Sequence, residues 1–327
     1  MSVKRRTGYR PLFPYFGGKA PVAGIVWEAL GNVVNYVEPC FGSGAVLFLR
    51  PGGAGHIETV NDADGLVCNF WRAVQADPGA VAFHADWPVN EADLHARHLW
   101  LIGQRERLTE RLMGDPGFYD TRAAGWWAWG MSCWIGSGWC SSTGPWTVED
   151  GQMVLRNPGQ GVNRKLPHLG NPGKERLAWL MDEVGRFARR LRNVRVCCGD
   201  WSRVCGPSVT YRHGLTGVFL DPPYADTANR TNGLYAHDDL TVAHDIRAWA
   251  IEQGQNPLMR IVLAGYEGAH EMPDDWTAVE WQATGGYGLI GSDEDLGGRA
   301  NRRRERLWLS PHCVRARQRT LFDEVPA

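Results

Sequence analysis

The run "VVNYVEPCFGSGAVLFL", Val33 to Leu49, decides the reading of the fold. Its apolar first half has the composition of a buried strand and ends in an acid and a proline. Gly42 and Gly44 follow, and "SGAVLFL" then fits the start of a helix. Glycines at a strand-to-helix turn mark close approach of the backbone to a ligand. Downstream, "HIETVND" (His56 to Asp62) reads as a second strand ending in an acid. "GLVCNFWRAV" places Leu66, Val67, Phe70, Trp71 and Val74 at helical spacing. Strand, helix, strand, helix in that order predicts an α/β fold with a parallel sheet and crossover helices.

The alternation resumes later in the chain. "ERLAWLMDEVGRFARRL" puts Leu177, Leu180, Met181, Val184, Phe187 and Leu191 on one helical face. "VRVCCGDW" is a strand leading to Asp200, "GVFLDPPY" another, and "RIVLAGY" (Arg260 to Tyr266) a third. "TAVEWQA" and "RERLWLS" are predicted to close the sheet as an antiparallel hairpin around a glycine-rich loop. The region from Trp87 to Lys174 breaks the pattern with a charged helix, a tryptophan-rich segment and a Gly/Pro/Asn loop. It is predicted to be an inserted, separately packed subdomain, so the boundaries fall at 1–86, 87–174, 175–312 and a tail at 313–327.

Among 327 residues, a hydrophobic share of 43% predicts a packed core. No apolar run is long enough to span a membrane, and "MSVKRRTGYRPLF" lacks the apolar centre of a secretion signal, so a soluble cytoplasmic protein is expected. The eight cysteines include no C-x-x-C pair, which argues for reduced thiols and against a zinc ribbon. His95 and His98 are read as part of an amphipathic helix surface rather than a metal pair. A net charge of −1 gives no global pull toward nucleic acid, although arginines cluster at 189–192, 302–304 and 315–319.

Two nucleotide motifs fail on specific residues. A dinucleotide fingerprint needs a third glycine where Leu47 stands, and "YFGGKA" has Phe13 and Ala20 where a phosphate loop needs Gly and Ser or Thr. The glycine loop survives, together with Asp62 at the next strand end, where an acid suits ribose hydroxyls. A cofactor with a ribose but no phosphate fits that remainder, and S-adenosylmethionine is one. The second landmark is "TGVFLDPPYAD", Thr216 to Asp226. Proline cannot continue a central strand, so the strand ends at Asp221 with a rigid exit.

Five blocks together resemble the DNA adenine-N6 methyltransferases of the DNA adenine methylase type: "FPYFGGK" (Phe13 to Lys19), "VEPCFGSGAVLF" (Val37 to Phe48), "NDAD" (Asn61 to Asp64), "GDW" (Gly199 to Trp201) and "DPPY" (Asp221 to Tyr224). Their order is similar to the alpha group, with target recognition inserted between a cofactor half and a catalytic half. The resemblance implies a Rossmann-like S-adenosylmethionine-dependent methyltransferase fold with a mostly parallel seven-stranded sheet and an antiparallel last strand. It implies that Tyr15, Lys19 and the Gly42 loop line the cofactor, with Glu38, Pro39, Phe41 and Gly44 in the same block. Asp62 would take the ribose, and Asp200 and Trp201 the adenine.

The chemistry of Asp221, Pro222, Pro223 and Tyr224 fits that resemblance. An exocyclic amino nitrogen attacks a methyl group only when its lone pair is freed from the ring. Two acceptors on its protons favour that geometry. The Asp221 carboxylate can be one and the Pro222 carbonyl the other, while Tyr224 offers a stacking face for a base turned out of the duplex. The same geometry serves N4 of cytosine, although Ser commonly replaces Asp in that group. An inactive DNA-binding protein on the same fold is the alternative of another class.

DNA contacts are assigned to Arg156, Arg164, Lys165 and His168 in "RNPGQGVNRKLPHLG". Most of the tryptophans Trp126, Trp127, Trp129, Trp134, Trp139 and Trp146 are read as core, with one or two free to act as a wedge. In the tail, Gln318, Leu321 and Phe322 form a Q-x-x-L-F pattern that resembles bacterial sliding-clamp-binding peptides. An ordinary packed tail is the alternative. A bacterial or phage-infected bacterial cell is the setting that the resemblance implies.

Overall fold

The computed structural model describes residues 11–15, 17–134, 138–140, 146–149, 152–155, 176–222, 242–268, 270–281 and 305–314. The chain begins with α1 (Ala23–Leu30), β1 (Asn35–Glu38), α2 (Ala45–Phe48), β2 (Ile57–Asp62), α3 (Gly65–Ala76) and α4 (Pro78–Ala85). There follow α5 (Glu91–Gly114), α6 (Thr121–Cys133), the strands β3 (Trp146–Glu149) and β4 (Gln152–Leu155), and α7 (Arg176–Leu191). The last elements are β5 (Arg195–Cys198), β6 (Thr216–Leu220), α8 (Val242–Gln253), β7 (Met259–Tyr266), β8 (Thr277–Glu280) and β9 (Glu305–Leu309).

Helix starts follow local chemistry. Asp64 accepts from the Leu66 N–H at 2.9 Å, Asn90 from Ala92 at 3.0 Å and Asp120 from Ala123 at 2.8 Å. Each side chain satisfies a donor that the first helical turn leaves open. Asp77 does the same for α4, with Pro78 at the first helical position, where its missing N–H costs nothing.

Seven strands form one sheet in the order β5-β2-β1-β6-β7-β9-β8. β1 runs parallel to β2 and β6, β2 to β5, and β6 to β7. β9 is antiparallel to both β7 and β8, so the predicted closing hairpin is present. The fold is therefore α/β around a mixed, mostly parallel sheet. From β1 the chain steps outward to β2 and β5, then returns to β6 on the other side of β1. That reversal makes the β1/β6 boundary a topological switch point, where a crevice opens beyond the carboxyl ends of the strands.

Every residue of β1 and β6 is buried, as expected for strands covered on both faces. On one face Tyr36, Val60, Phe219, Val262 and Leu307 join a core that includes α3 and α7. On the other, Val37, Val218, Leu220, Ile261 and Leu263 pack with Ile246 and Ala250 of α8.

Several expectations change. Residues 87–174 do not begin as a separately packed unit. Leu94, Leu101 and Leu108 of α5 and Trp127 and Trp129 of α6 share the core of the first sheet face. Phe13, with 0% exposure, meets Trp127 edge-on at 4.7 Å and Phe70 at 5.0 Å, which fastens α6 to α3. The hydrophobic run of the tryptophan segment is thus spent on the main body. His98 is buried rather than on a helix surface. It stacks on Trp134 at 4.6 Å, and its Nδ1 accepts from the Cys140 N–H at 3.1 Å. Met181 leaves the apolar face of α7 and is 40% exposed. The β3/β4 hairpin was not anticipated, although Asp150-Gly151 between two short alternating runs is a hairpin signal. No described helix is long and apolar enough to cross a membrane.

Candidate functional site

The sequence-predicted residues that the structure describes gather at the carboxyl ends of β1, β2, β5 and β6. Glu38 ends β1 and is 2% exposed. Its carboxylate accepts from the Tyr36 hydroxyl at 2.8 Å and from the Leu47 N–H. Burial pushes its proton affinity well above that of an ordinary carboxyl, against those two bonds. Glu38 therefore braces the loop that follows β1.

The loop turns on Gly42 (φ +48°) and Gly44 (φ +68°), both in the left-handed region that side chains resist. A Cβ at Gly42 would lie 2.5 Å from Tyr15 Cε1, and one at Gly44 would lie 2.5 Å from the Phe41 ring. Half-buried Tyr15 thus closes over Gly42. Phe41 is 3% exposed and packs inward, 5.4 Å from Trp71. The Trp71 indole N–H donates to the Gly42 carbonyl at 2.8 Å.

Asp62 reaches across from β2 to this loop. Its Oδ2 accepts from the Gly42 N–H at 2.8 Å and its Oδ1 from the Asp64 N–H at 2.9 Å. Burial pushes its pKa to about 6, while the backbone donors pull it down. Next to it, the Asn61 amide donates to Pro39 O at 3.1 Å and Gly199 O at 2.9 Å, so one side chain ties the ends of β1, β2 and β5 together. Beyond β5, exposed Asp200 caps a short 3₁₀ turn, Trp201–Val204, by accepting from the Ser202 N–H at 2.9 Å and from its hydroxyl. Trp201 meets Trp249 edge-on at 6.0 Å.

Asp221 is the first residue past β6, and Pro222 behind it is buried. Lys19 Nζ lies 2.9 Å from Asp221 Oδ1 and also donates to Gly17 O at 2.8 Å. Lys19, read from the sequence as lining a cofactor, is thus bonded to the acid at the end of β6. Burial raises the Asp221 pKa and Lys19 pulls it back, with burial winning. Sequence reasoning missed that pairing. It also missed Glu305, the first residue of β9, whose carboxyl burial pushes up to about 7 while Lys19 draws it down and Asp221 raises it. An acid inside the basic run "NRRRER" was the only signal.

Pro223, Tyr224, Arg156, Arg164, Lys165, His168, Gln318, Leu321 and Phe322 lie outside the described residues. Among the described residues, no group of three His, Cys, Asp or Glu is arranged to hold a metal ion. No protein-family model matches the chain, and no curated protein is significantly similar to it. The geometry itself offers a lysine-paired acid on one side of the β1/β6 switch point and a glycine loop bonded to the Asp62 carboxylate on the other. That arrangement sets hydrogen-bond acceptors at two neighbouring strand ends.

Proposed function

We propose that the chain is an S-adenosylmethionine-dependent methyltransferase acting on the N6 amino group of adenine in DNA. The observation that carries this reading is the placement of Asp221 and Pro222 at the end of β6, on the strand beside the β1 end that bears the Gly42–Gly44 loop. The reversed strand β9 between β7 and β8 supports the methyltransferase version of the α/β fold.

The described residues fit such a cofactor. The Gly42 backbone leaves a cradle that a Cβ would fill, with Tyr15 as its wall. The backbone N–H groups of Gly42, Ala63 and Asp64 take part of the Asp62 acceptor capacity, and a carboxylate has about four positions, so capacity remains for a ribose hydroxyl. Asp200 and Trp201 stand at the next strand end for the adenine. Bound there, S-adenosylmethionine supplies an electrophilic methyl group.

The chain's own groups handle the acceptor amine. Lys19 favours the ionised form of Asp221 and fixes one of its oxygens. Asp221 accepts a hydrogen bond from the amino group, and the Pro222 carbonyl, stiffened by the neighbouring prolines, takes the other amino proton. A hydrogen bond to a charged group contributes about 1.5–3 kcal/mol, so alignment of amine and methyl must supply much of the remaining rate enhancement. Tyr224 stacks on the extruded base, and Arg156, Arg164, Lys165 and His168 contact the duplex in this reading. Gln318, Leu321 and Phe322 remain a second proposal, a sliding-clamp contact that pulldown with Phe322→Ala tests.

The deciding experiment transfers labelled methyl groups onto unmethylated DNA and digests the product to nucleosides. N6-methyladenine supports the reading, N4-methylcytosine moves the reaction to cytosine, and unlabelled DNA ends it.

A further inference from the structure

Three strand ends bring acids to one side of the sheet. Along β6 and β7, Phe219 is paired with Val262 and Leu220 with Leu263. Across β7 and β9, Ala264 faces Leu307 and Tyr266 faces Glu305. Side chains alternate along a strand, so residues two apart share a face. Asp221 therefore shares the face of Phe219, and Glu305 that of Leu307. Glu38 shares that of Tyr36 on β1. Phe219, Leu307 and Tyr36 all belong to the same core, so the three carboxyls project from one face at the crevice edge. Lys19 enters the same place from the segment before α1, 4% exposed, and is bonded to Asp221.

A buried cluster of three acids and one lysine cannot ionise freely. Separating charge from water costs more than one cation returns, so protons are retained. Lys19 is in contact with Asp221, so the ammonium favours the ionised form of Asp221 against the burial that opposes it. Glu38 is committed to Tyr36 and Leu47. Glu305 is 8% exposed and feels both Lys19 and Asp221. Among the described residues, Tyr266 on β7 is its cross-strand partner. Its neighbour Arg306 lies on the opposite face and pairs with Glu267 and Glu280, each at 3.2 Å.

We infer that Glu305 is a positioning residue of the reaction proposed above, acting on Asp221 through Lys19. With a proton on Glu305, the ammonium stays with Asp221, whose free acceptor capacity is then aimed at the substrate amine. Without that proton, Glu305 competes for the ammonium and its charge strengthens proton binding at Asp221. Methyl transfer then slows. The inference rests on the methyltransferase reading, but its physical core, coupling of two carboxyls through one lysine, is measurable without turnover.

Full-length protein carrying ¹³C-carboxyl glutamate is titrated by NMR, with the Glu305 signal identified by its loss in Glu305→Gln. The Glu305 midpoint should fall in Asp221→Asn, which removes a neighbouring negative charge, and rise in Lys19→Met. The isosteric Asp221→Asn carries the test alone if Lys19→Met does not fold. A midpoint that neither substitution moves overturns the inference. In a second arm, methyl transfer to DNA is followed against pH. The wild-type rate should fall several-fold as Glu305 loses its proton, Glu305→Gln should lose that fall, and Glu305→Asp should keep it. Superimposable wild-type and Glu305→Gln profiles overturn the inference and leave the methyltransferase reading standing. Coupled titration without methyl transfer by the wild type overturns the functional reading instead, and Glu305's role in a reaction with it.

Discussion

The Lys19 ammonium lies 2.9 Å from Asp221 Oδ1, and Lys19 is the more deeply buried partner, at 4% exposure against 21%. Two segments far apart in sequence thus meet as one ionic unit at the end of β6. On the proposed reading, Asp221→Ala removes the acceptor for the substrate amine while leaving the Gly42 loop and Asp62 in place. Methyl transfer should fall below detection while S-adenosylmethionine binding, measured by calorimetry, changes little. Wild-type turnover in that variant removes Asp221 from the mechanism.

Lys19→Met separates a charge effect from a packing effect. Lys19 lowers the Asp221 pKa, so its loss raises it, and the ionised carboxylate then forms only at higher pH. The acid limb of kcat/KM should move to higher pH, so the variant is more impaired at about pH 6 than at about pH 8. An equal loss at both values would assign Lys19 to packing alone.

Gly44→Ala places a side chain at φ +68° and drives its Cβ to 2.5 Å from the Phe41 ring and 2.6 Å from Phe48. The left-handed conformation costs an L-residue about 1–2 kcal/mol, and displaced rings add to it. Urea unfolding should report a loss of roughly 2–4 kcal/mol. Gly42→Ala meets half-buried Tyr15 instead, so its larger effect should be on cofactor affinity.

Asn61→Ala strips the buried carbonyl of Pro39 and the half-buried carbonyl of Gly199 of a shared donor. A buried acceptor left unsatisfied costs about 1–3 kcal/mol, so a loss of roughly 2–4 kcal/mol is expected, with weakened cofactor binding because three strand ends come apart. Unchanged affinity in a destabilised variant would confine Asn61 to stability.

Phe13→Ala tests whether α6 belongs to the main body. Its ring sits among Tyr15, Phe70, Trp71 and Trp127. Truncating a buried Phe costs about 3–5 kcal/mol, and the whole chain should lose it in one transition if the core is continuous. A destabilised phase that leaves a second transition untouched would restore a separately packed insertion.

Much of the sheet was legible because its strands declare themselves twice, by apolar runs and by the acids that end them. Val33 to Asp62 gave strand, turn, helix and strand from pattern alone, and the closing hairpin followed from two short runs near the end. The packing of α5 and α6 was not legible. Trp127 looks the same in sequence whether it fills a subdomain or lies against Phe13, since composition does not encode the partner. The Lys19–Asp221 pairing was hidden for a similar reason. A glycine-flanked lysine suggests a ligand contact, and only the return of β6 beside β1 reveals Asp221 as its partner. Glu305 was hidden further, because "NRRRER" reads as a solvated basic run until register turns its acid toward the crevice.

Two of the carboxyls that burial raises, Glu305 and Asp62, make stability depend on pH in a stated direction. Burial lifts Glu305 from an ordinary 4.5 to about 7 and Asp62 from 3.8 to about 6. A folded state that holds a proton more tightly than the unfolded chain gains stability below the unfolded value. It loses that stability as pH rises through the folded value. The lift at Glu305 alone corresponds to roughly 3 kcal/mol of differential interaction. Glu305→Gln has no proton to lose, so the variant should gain on the wild type as pH climbs from about 4.5 to about 7, by roughly 2–3 kcal/mol, and the gap should stay constant above that. Urea midpoints measured across this range in both proteins check it. Parallel curves would mean that Glu305 is as acidic in the fold as in the unfolded chain, and the wild type would then carry no buried proton at β9 to govern Lys19.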